Sequence, residues 1–341
     1  MHALLAEPVF TAGGVTYSWG DVITAAGLRG EWSEVTLRAR EGLAVLARAE
    51  RGEGGGFISA TAVEKRGNEF RYERGLEAAE DMEAWLDGWG LTASTWADWL
   101  RVDLLRSHGL TSQPAEEGDL DEGEFAEALL VEAVCSKDLE KLANRLAERA
   151  AIQQAHGDKP VSPAAMAAHL AGIPPCPVGQ DAERYAHLAE QQAGFLCAVD
   201  ETCSPSAIEA LVAARRFDWV RVSFGTLSFR DADQGREAAL SIAEDGQTLE
   251  EVAASAQSVL EEGTVFLDEL EEAVRVRVLG ARPGDVIGPI SVGGRVRLYA
   301  VRERVAATAS DPVVARRAAS SLLETRVRRE VANRIQWVWP L

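Results

Sequence analysis

The hydrophobic pattern of this sequence changes near residue 216, and that change constrains the fold more than any other feature. Before it, segments such as 33–51 and 137–155 predict helices, and the strand signals are few. After it, residues 217–229 (FDWVRVSFGTLSF) are rich in β-forming side chains. A helical region that is followed by a region of mixed strands and helices indicates an α+β protein with more than one domain.

Local signals place several elements of the N-terminal part. Gly13 and Gly14 separate two β-forming segments, which is typical of a hairpin. Ser18 and Asp21 form a Ser-x-x-Asp pattern, a variant of the capping box, and this pattern predicts that a helix begins there. Residues 57–70 are compatible with a strand or a loop.

Four tryptophans lie at helical spacing in two predicted helices. Trp85 and Trp89 are four residues apart, and Trp96 and Trp99 are three apart, so each pair lies on one helix face. A packed seam between two helices explains this spacing, and an apolar groove for a peptide is the functional alternative. We therefore keep Trp85 and Trp89 as candidate substrate-binding residues.

The C-terminal third mixes helices and strands. A full capping box, Thr248-Leu-Glu-Glu251, begins one helix, and we predict further helices over 267–279 and from 312 to about 335. The stretch 256–265 is short and acidic, and residues 295–303 predict a strand.

Charge and hydropathy exclude several kinds of partner. The 341 residues carry a formal net charge of −19, so nucleic acid and anionic lipid would repel the chain. No run of 18 apolar residues is present, and the first ten residues do not resemble a signal peptide. We expect a cytoplasmic protein that binds neither nucleic acid nor a membrane.

The cysteines do not form a metal-binding pattern. Cys135, Cys176, Cys197 and Cys203 show no CxxC spacing, and no histidine cluster lies near them. We therefore expect no metal and no cofactor. Whether Cys197 pairs with Cys203 stays open at this point.

The segment 220–301 resembles the parvulin domain of prolyl isomerases. Residues 220–227 (VRVSFGTL) are similar to the first strand of that family, and 248–253 (TLEEVA) to its helix pair. Residues 283–290 (PGDVIGPI) are similar to its Pro-Gly segment, and 295–301 to its last strand. The helical N-terminal region and the terminal helix resemble SurA-type chaperone-isomerases, in which the terminal segment packs onto the N-terminal domain.

The sequence departs from the parvulin pattern at the two histidine positions, where it has Phe224 and Arg297. A phenylalanine cannot join a hydrogen-bonded network, and an arginine is permanently charged and only donates. We therefore assign no catalytic residue. The resemblance implies instead that Phe224, Arg297 and Tyr299 line a cleft that binds a peptide.

The resemblance implies an α+β fold with three parts: a mainly helical, SurA-like N-terminal domain, a C-terminal parvulin-like domain, and a terminal helix that packs back on the N-terminal domain. The predicted boundaries are 1–156 for the helical domain, 157–215 for a connector with helices, 216–305 for the parvulin-like domain, and 306–341 for the terminal helix and tail.

The function implied is a peptide- or protein-binding chaperone or accessory factor on a degenerate parvulin scaffold. Its partners would be unfolded or precursor peptides, together with enzymes that modify them, because the layout also resembles accessory proteins of bacterial peptide-maturation systems. The alternative is an active peptidyl-prolyl cis-trans isomerase, or a repurposed enzyme acting on a peptide. A scaffold for partner enzymes is a third interpretation.

Overall fold

The computed structural model describes residues 2–52, 58–110, 121–157, 162–177 and 181–339. The chain divides into two compact units, unit 1 with Met1–Val199 and Arg326–Leu341, and unit 2 with Asp200–Thr325. In chain order the helices and strands are α1 (His2–Ala6), β1 (Pro8–Ala12), β2 (Val15–Ser18), α2 (Trp19–Leu28), α3 (Ser33–Glu50), α4 (Ala60–Glu73), α5 (Ala79–Trp89), α6 (Ala93–Ser107), α7 (Glu122–Cys135), α8 (Asp138–His156), α9 (Pro163–Ala171), α10 (Ala182–Thr202), α11 (Pro205–Ala214), β3 (Arg221–Phe229), α12 (Ala232–Glu244), α13 (Leu249–Ser255), β4 (Glu261–Phe266), α14 (Glu272–Gly280), β5 (Val286–Val292), β6 (Arg295–Val305), α15 (Pro312–Arg334) and β7 (Ile335–Trp337).

The predicted α+β class is confirmed, since helices dominate and the strands form two small antiparallel sheets. The division into units falls within α10 and within α15. The predicted domain boundaries at 156, 215 and 305 remain predictions.

The predicted hairpin and the helix that follows it are confirmed. Gly13 and Gly14 join β1 to β2 with φ of +53° and +83°, a conformation that residues with a Cβ rarely adopt. The Ser18 N–H then donates to Asp21 Oδ2 at 2.7 Å, and the Asp21 N–H donates to Ser18 Oγ at 3.3 Å. This reciprocal pair satisfies two of the free N–H groups at the start of α2.

Strand β1 is the middle strand of the unit 1 sheet, whose order is β2-β1-β7. Phe10 on β1 lies opposite Trp337 on β7 and is fully buried. Trp339, just beyond β7, packs against Trp19 and Trp89 with ring centroids 5.7 and 5.0 Å apart. The C-terminal segment therefore docks on the helical unit, as predicted.

Residues 60–73 form helix α4, so the predicted strand or loop over 57–70 is wrong for residues 60–70, while residues 58 and 59 are irregular as predicted. Ser59 caps the helix by accepting a hydrogen bond from the Ala62 N–H at 3.1 Å. Gly67, which weakens a helix signal in a sequence, allows close packing here. A Cβ at that position would lie only 3.2 Å from Trp96 Cη2 of α6.

The structure adds detail to three segments of the C-terminal third and corrects one of them. The acidic stretch 256–265 contains most of an edge strand, β4, which pairs with β3 alone. The predicted helix over 267–279 is a 3₁₀ turn at Leu267–Glu269 followed by α14, because Leu270 is extended. Helix α15 ends at Arg334, in agreement with the predicted end at about 335, and the next residues pair with β1.

Unit 2 is built on a four-stranded antiparallel sheet of order β4-β3-β6-β5. One face of the sheet packs against α14, and its buried residues include Val222, Phe224 and Tyr299. The other face packs against α12 and α13, and its buried residues include Leu227 and Leu298. The sheet therefore separates two apolar clusters.

We expect Trp339→Ala to lower the free energy of unfolding of the protein by about 2 kcal/mol, because a half-buried indole leaves the Trp19–Trp89 cluster. Urea denaturation followed by circular dichroism measures the change. The control is Val338→Ala, since Val338 is 53% exposed. Equal stabilities of the two variants would contradict the docking of this segment.

Candidate functional site

The α14-side face of the unit 2 sheet brings the predicted parvulin-like residues together. On β3 and β6, Phe224 lies opposite Val301, Thr226 opposite Tyr299, and Ser228 opposite Arg297. Because side chains alternate across a strand, all six point to this same face.

Phe224 and Tyr299 belong to the core on this face. Their rings meet edge to face, with centroids 5.6 Å apart, and the two residues are only 4% and 6% exposed. They pack with Val274 and Val278 of α14. The structure therefore places these two predicted binding residues beneath α14, where they support the sheet. Their predicted role in binding stays a prediction.

Arg297 lies on the same face, and its environment is different. It is half-buried, with Ser228 of β3 opposite it on one side and Ile290 of β5 on the other. Its Nε is buried and has no hydrogen-bond partner among the described residues. A guanidinium offers five N–H donors and cannot be deprotonated in a protein. A buried donor without an acceptor costs about 1–3 kcal/mol, and a carbonyl or carboxylate bound by the rest of this half-buried guanidinium would offset part of that cost.

The neighbours of Arg297 are small and polar or aliphatic. Ser228 and Thr226 are half-buried, and Ile290 is buried. These three residues were not predicted as site residues. The alternation of side chains along β3 could have found the first two, because Thr226 and Ser228 share the face of Phe224. No sequence signal identified Ile290, since its place opposite Arg297 depends on the pairing of β5 with β6.

Trp85 and Trp89, the other two predicted binding residues, lie in unit 1 and pack within it. The Trp85 ring meets the Phe70 ring edge to face, with centroids 5.5 Å apart. Trp89 is 4% exposed, and its ring centroid lies 4.9 Å from that of Trp19. The geometry is that of a packed aromatic seam, and the predicted role of Trp85 and Trp89 in binding stays a prediction.

The cysteines and acidic residues form no metal-binding cluster within the described ranges, where no group of three or more His, Cys, Asp or Glu converges. None of the four cysteines forms a disulfide bond, so no bridge joins Cys197 to Cys203. Of the helices in the described part of the chain, none combines the length and apolarity needed to cross a bilayer.

The fold and this face define an α+β protein whose second unit carries one antiparallel four-stranded sheet covered by helices on both faces. No protein-family model and no curated protein matches the sequence.

Among solved structures, the chain is similar to PrsA from Bacillus subtilis, with 12% identity and a TM-score of 0.24 over 62% of this chain and 86% of that one. It is also similar to the foldase protein PrsA from Streptococcus pneumoniae, with 11% identity and a TM-score of 0.25 over 64% and 91%. A third similar structure comes from work on PEB4 and Cj1289, two SurA-like chaperones of Campylobacter jejuni, with 10% identity and a TM-score of 0.20 over 67% and 96%.

These are the kinds of protein that the parvulin and SurA resemblance of the sequence indicates.

We expect Phe224→Ala to destabilise unit 2 by about 3 kcal/mol, because a buried ring is lost from the core beneath α14. Tyr299→Phe should change the stability by less than about 0.5 kcal/mol, since the Tyr299 hydroxyl forms no hydrogen bond within the described residues. Urea denaturation of both variants tests this. A large loss for Tyr299→Phe would show that the hydroxyl has a structural partner.

Proposed function

We propose that this protein binds short extended segments of unfolded or precursor polypeptides on the α14-side face of the unit 2 sheet, as a chaperone or accessory factor. The observation that carries the proposal is the guanidinium of Arg297, which lies half-buried on this face and whose Nε has no acceptor among the described residues. A peptide main chain offers carbonyl oxygens at regular intervals, so it supplies the missing acceptor without requiring one particular side chain.

The shape of the site fits a short extended peptide. Ser228, Arg297 and Ile290 lie side by side on three neighbouring strands, β3, β6 and β5. Strands are spaced by about 4.8 Å, so this row is about 10 Å long, the length of about three extended residues. The Ser228 hydroxyl adds a donor and an acceptor at one end, and the buried Ile290 bounds the row at the other.

The same residues give no support to acid–base chemistry. Phe224 has no group that exchanges a proton, and an arginine remains protonated at any pH at which the protein is folded. Both residues are suited to binding and to exclusion of water, and neither can act as a general base. We therefore propose binding without catalysis.

The cellular setting is part of the proposal. Four cysteines that form no disulfide bond suit a reducing compartment, and this supports the cytoplasm as the proposed place where the protein works. A precursor peptide and its modifying enzymes are the specific partners that we propose, and copurification from the native host would identify them.

We expect Arg297→Gln to weaken the binding of an unstructured peptide by about 10- to 100-fold, because a hydrogen bond from a charged donor is worth about 1.5–3 kcal/mol. Isothermal titration calorimetry with a casein-derived peptide measures the affinity. The matched control is Arg277→Gln, which removes the same charge from an exposed position on α14. Equal affinities of the two variants would show that Arg297 does not contribute to peptide binding.

A protease-coupled proline isomerisation assay tests the alternative, an active isomerase. We expect no acceleration by the wild-type protein over the uncatalysed rate. Acceleration that Arg297→Gln abolishes and Arg277→Gln leaves intact would replace binding by catalysis as the function of this face.

A further inference from the structure

A groove in unit 1, distinct from the sheet face, runs between three helices. Its two connected parts have volumes of about 210 and about 440 Å³ and share Leu43, Leu46, Asp98 and Glu124. We call it the α3–α6–α7 groove. Three helices and one residue outside them line the groove. The lining residues are, on α3, Ala39, Gly42, Leu43, Leu46, Ala47, Ala49 and Glu50; ahead of α4, Ile58; on α6, Thr95, Asp98, Trp99, Arg101, Val102 and Leu105; and on α7, Glu124, Glu127, Ala128, Val131 and Glu132.

Each helix contributes one continuous face to the groove. On α3 the lining residues Ala39, Leu43 and Leu46 follow the spacing of neighbouring helical turns, and Asp98 and Val102 do so on α6. Along α3 the groove extends from residue 39 to residue 50, which corresponds to about 16 Å at the rise of an α-helix. The groove is therefore as long as about three turns of a helix laid into it.

The floor of the groove is fixed by a buried carboxylate. Glu132 is 4% exposed and accepts hydrogen bonds from Arg38 Nε at 2.9 Å, Trp99 Nε1 at 3.1 Å and Arg106 Nη1 at 3.2 Å. Its charge is thus balanced within the protein, and the indole of Trp99 is held in one orientation. The floor offers a preformed surface, and the apolar side chains Leu43, Leu46 and Val102 lie along it.

The rim of the groove is acidic. Glu50, Glu124 and Glu127 are exposed, and the Asp98 side chain is 42% exposed. Arg101 is the one cationic residue among the described lining residues, and it already pairs with Asp98 at 2.7 Å. An apolar floor between carboxylates complements a helix that is apolar on one side and carries lysine or arginine at its margins.

We propose that the α3–α6–α7 groove binds a cationic amphipathic helical segment of a partner polypeptide. A second copy of this chain does not suit the groove, because a net charge of −19 opposes self-association at an acidic surface. The neighbouring stretch 111–120 does not suit it either, since its sequence has Glu116, Glu117 and Asp119 and no lysine or arginine. This site is independent of Arg297 and would stand if the sheet face bound nothing.

The probe is a fluorescein-labelled peptide of about 11 residues, with leucines at helical spacing and lysines at the margins of the leucine face. Fluorescence anisotropy with the full-length protein measures its affinity at low and high salt. We expect binding that weakens as salt is added, because exposed charges are screened. A scrambled peptide of the same composition and an analogue with glutamate in place of lysine should bind at least about tenfold more weakly.

The variant Glu124→Lys/Glu127→Lys reverses two rim charges, and we expect it to lower the affinity by about tenfold or more and to flatten the salt dependence. The control Glu80→Lys/Glu83→Lys makes the same change with the same spacing at the start of α5, on exposed residues outside the groove. It should keep the wild-type affinity. Arg297→Gln should also leave it unchanged, which separates this site from the sheet face.

A second variant tests the floor. Leu43→Ala/Leu46→Ala should lower the affinity for the cationic peptide while thermal unfolding shows that the protein remains folded. The proposal is overturned if the cationic peptide does not bind, if the scrambled peptide binds equally well, or if both charge-reversal variants lose affinity to the same extent.

Discussion

The antiparallel pairing of β3 with β6 determines how unit 2 is built. It runs from Arg221 to Phe229 and shifts register between Ser223 and Phe224. From Phe224 onward, the register sends Phe224 and Tyr299 toward α14, and Leu227 and Leu298 toward α12 and α13. A slip of one residue in β6 would turn its side chains to the opposite faces, so that Leu298 would point toward α14 and Arg297 toward the apolar cluster of α12 and α13. The position of Arg297 on the α14-side face is therefore a direct consequence of this register.

Elements that are determined by residues close together in the sequence could be predicted. Elements that depend on pairing with distant residues could not. The hairpin at Gly13 and Gly14 and the helix that Thr248 caps are set by residues within a few positions of each other. Strand β4 was missed because an edge strand tolerates charged residues such as Glu261 and Glu262, which hide its pattern. Strand β7 was missed because its partner, β1, lies almost the whole chain away.

The candidate site shows the same limit. The parvulin resemblance predicted Arg297 as a binding residue, and only the folded sheet shows that its Nε has no acceptor among the described residues. Phe224 and Tyr299 were predicted from the same resemblance, and both are buried in the structure. Their burial could not be predicted from the strand pattern, because it depends on where α14 packs. The groove in unit 1 could not be located from the sequence, because its lining residues come from three helices, α3, α6 and α7, and are spread between residues 39 and 132.

The pairing of β7 with β1 has a consequence for the order in which the protein is made. The sheet of unit 1 lacks one strand, and the Trp19–Trp89 cluster lacks one ring, until residues 335–339 have left the ribosome. All of unit 2, by contrast, is encoded between residues 200 and 325 and is already synthesised by then. Domains generally fold as units during translation. The unit that begins first along the chain is thus the one completed last.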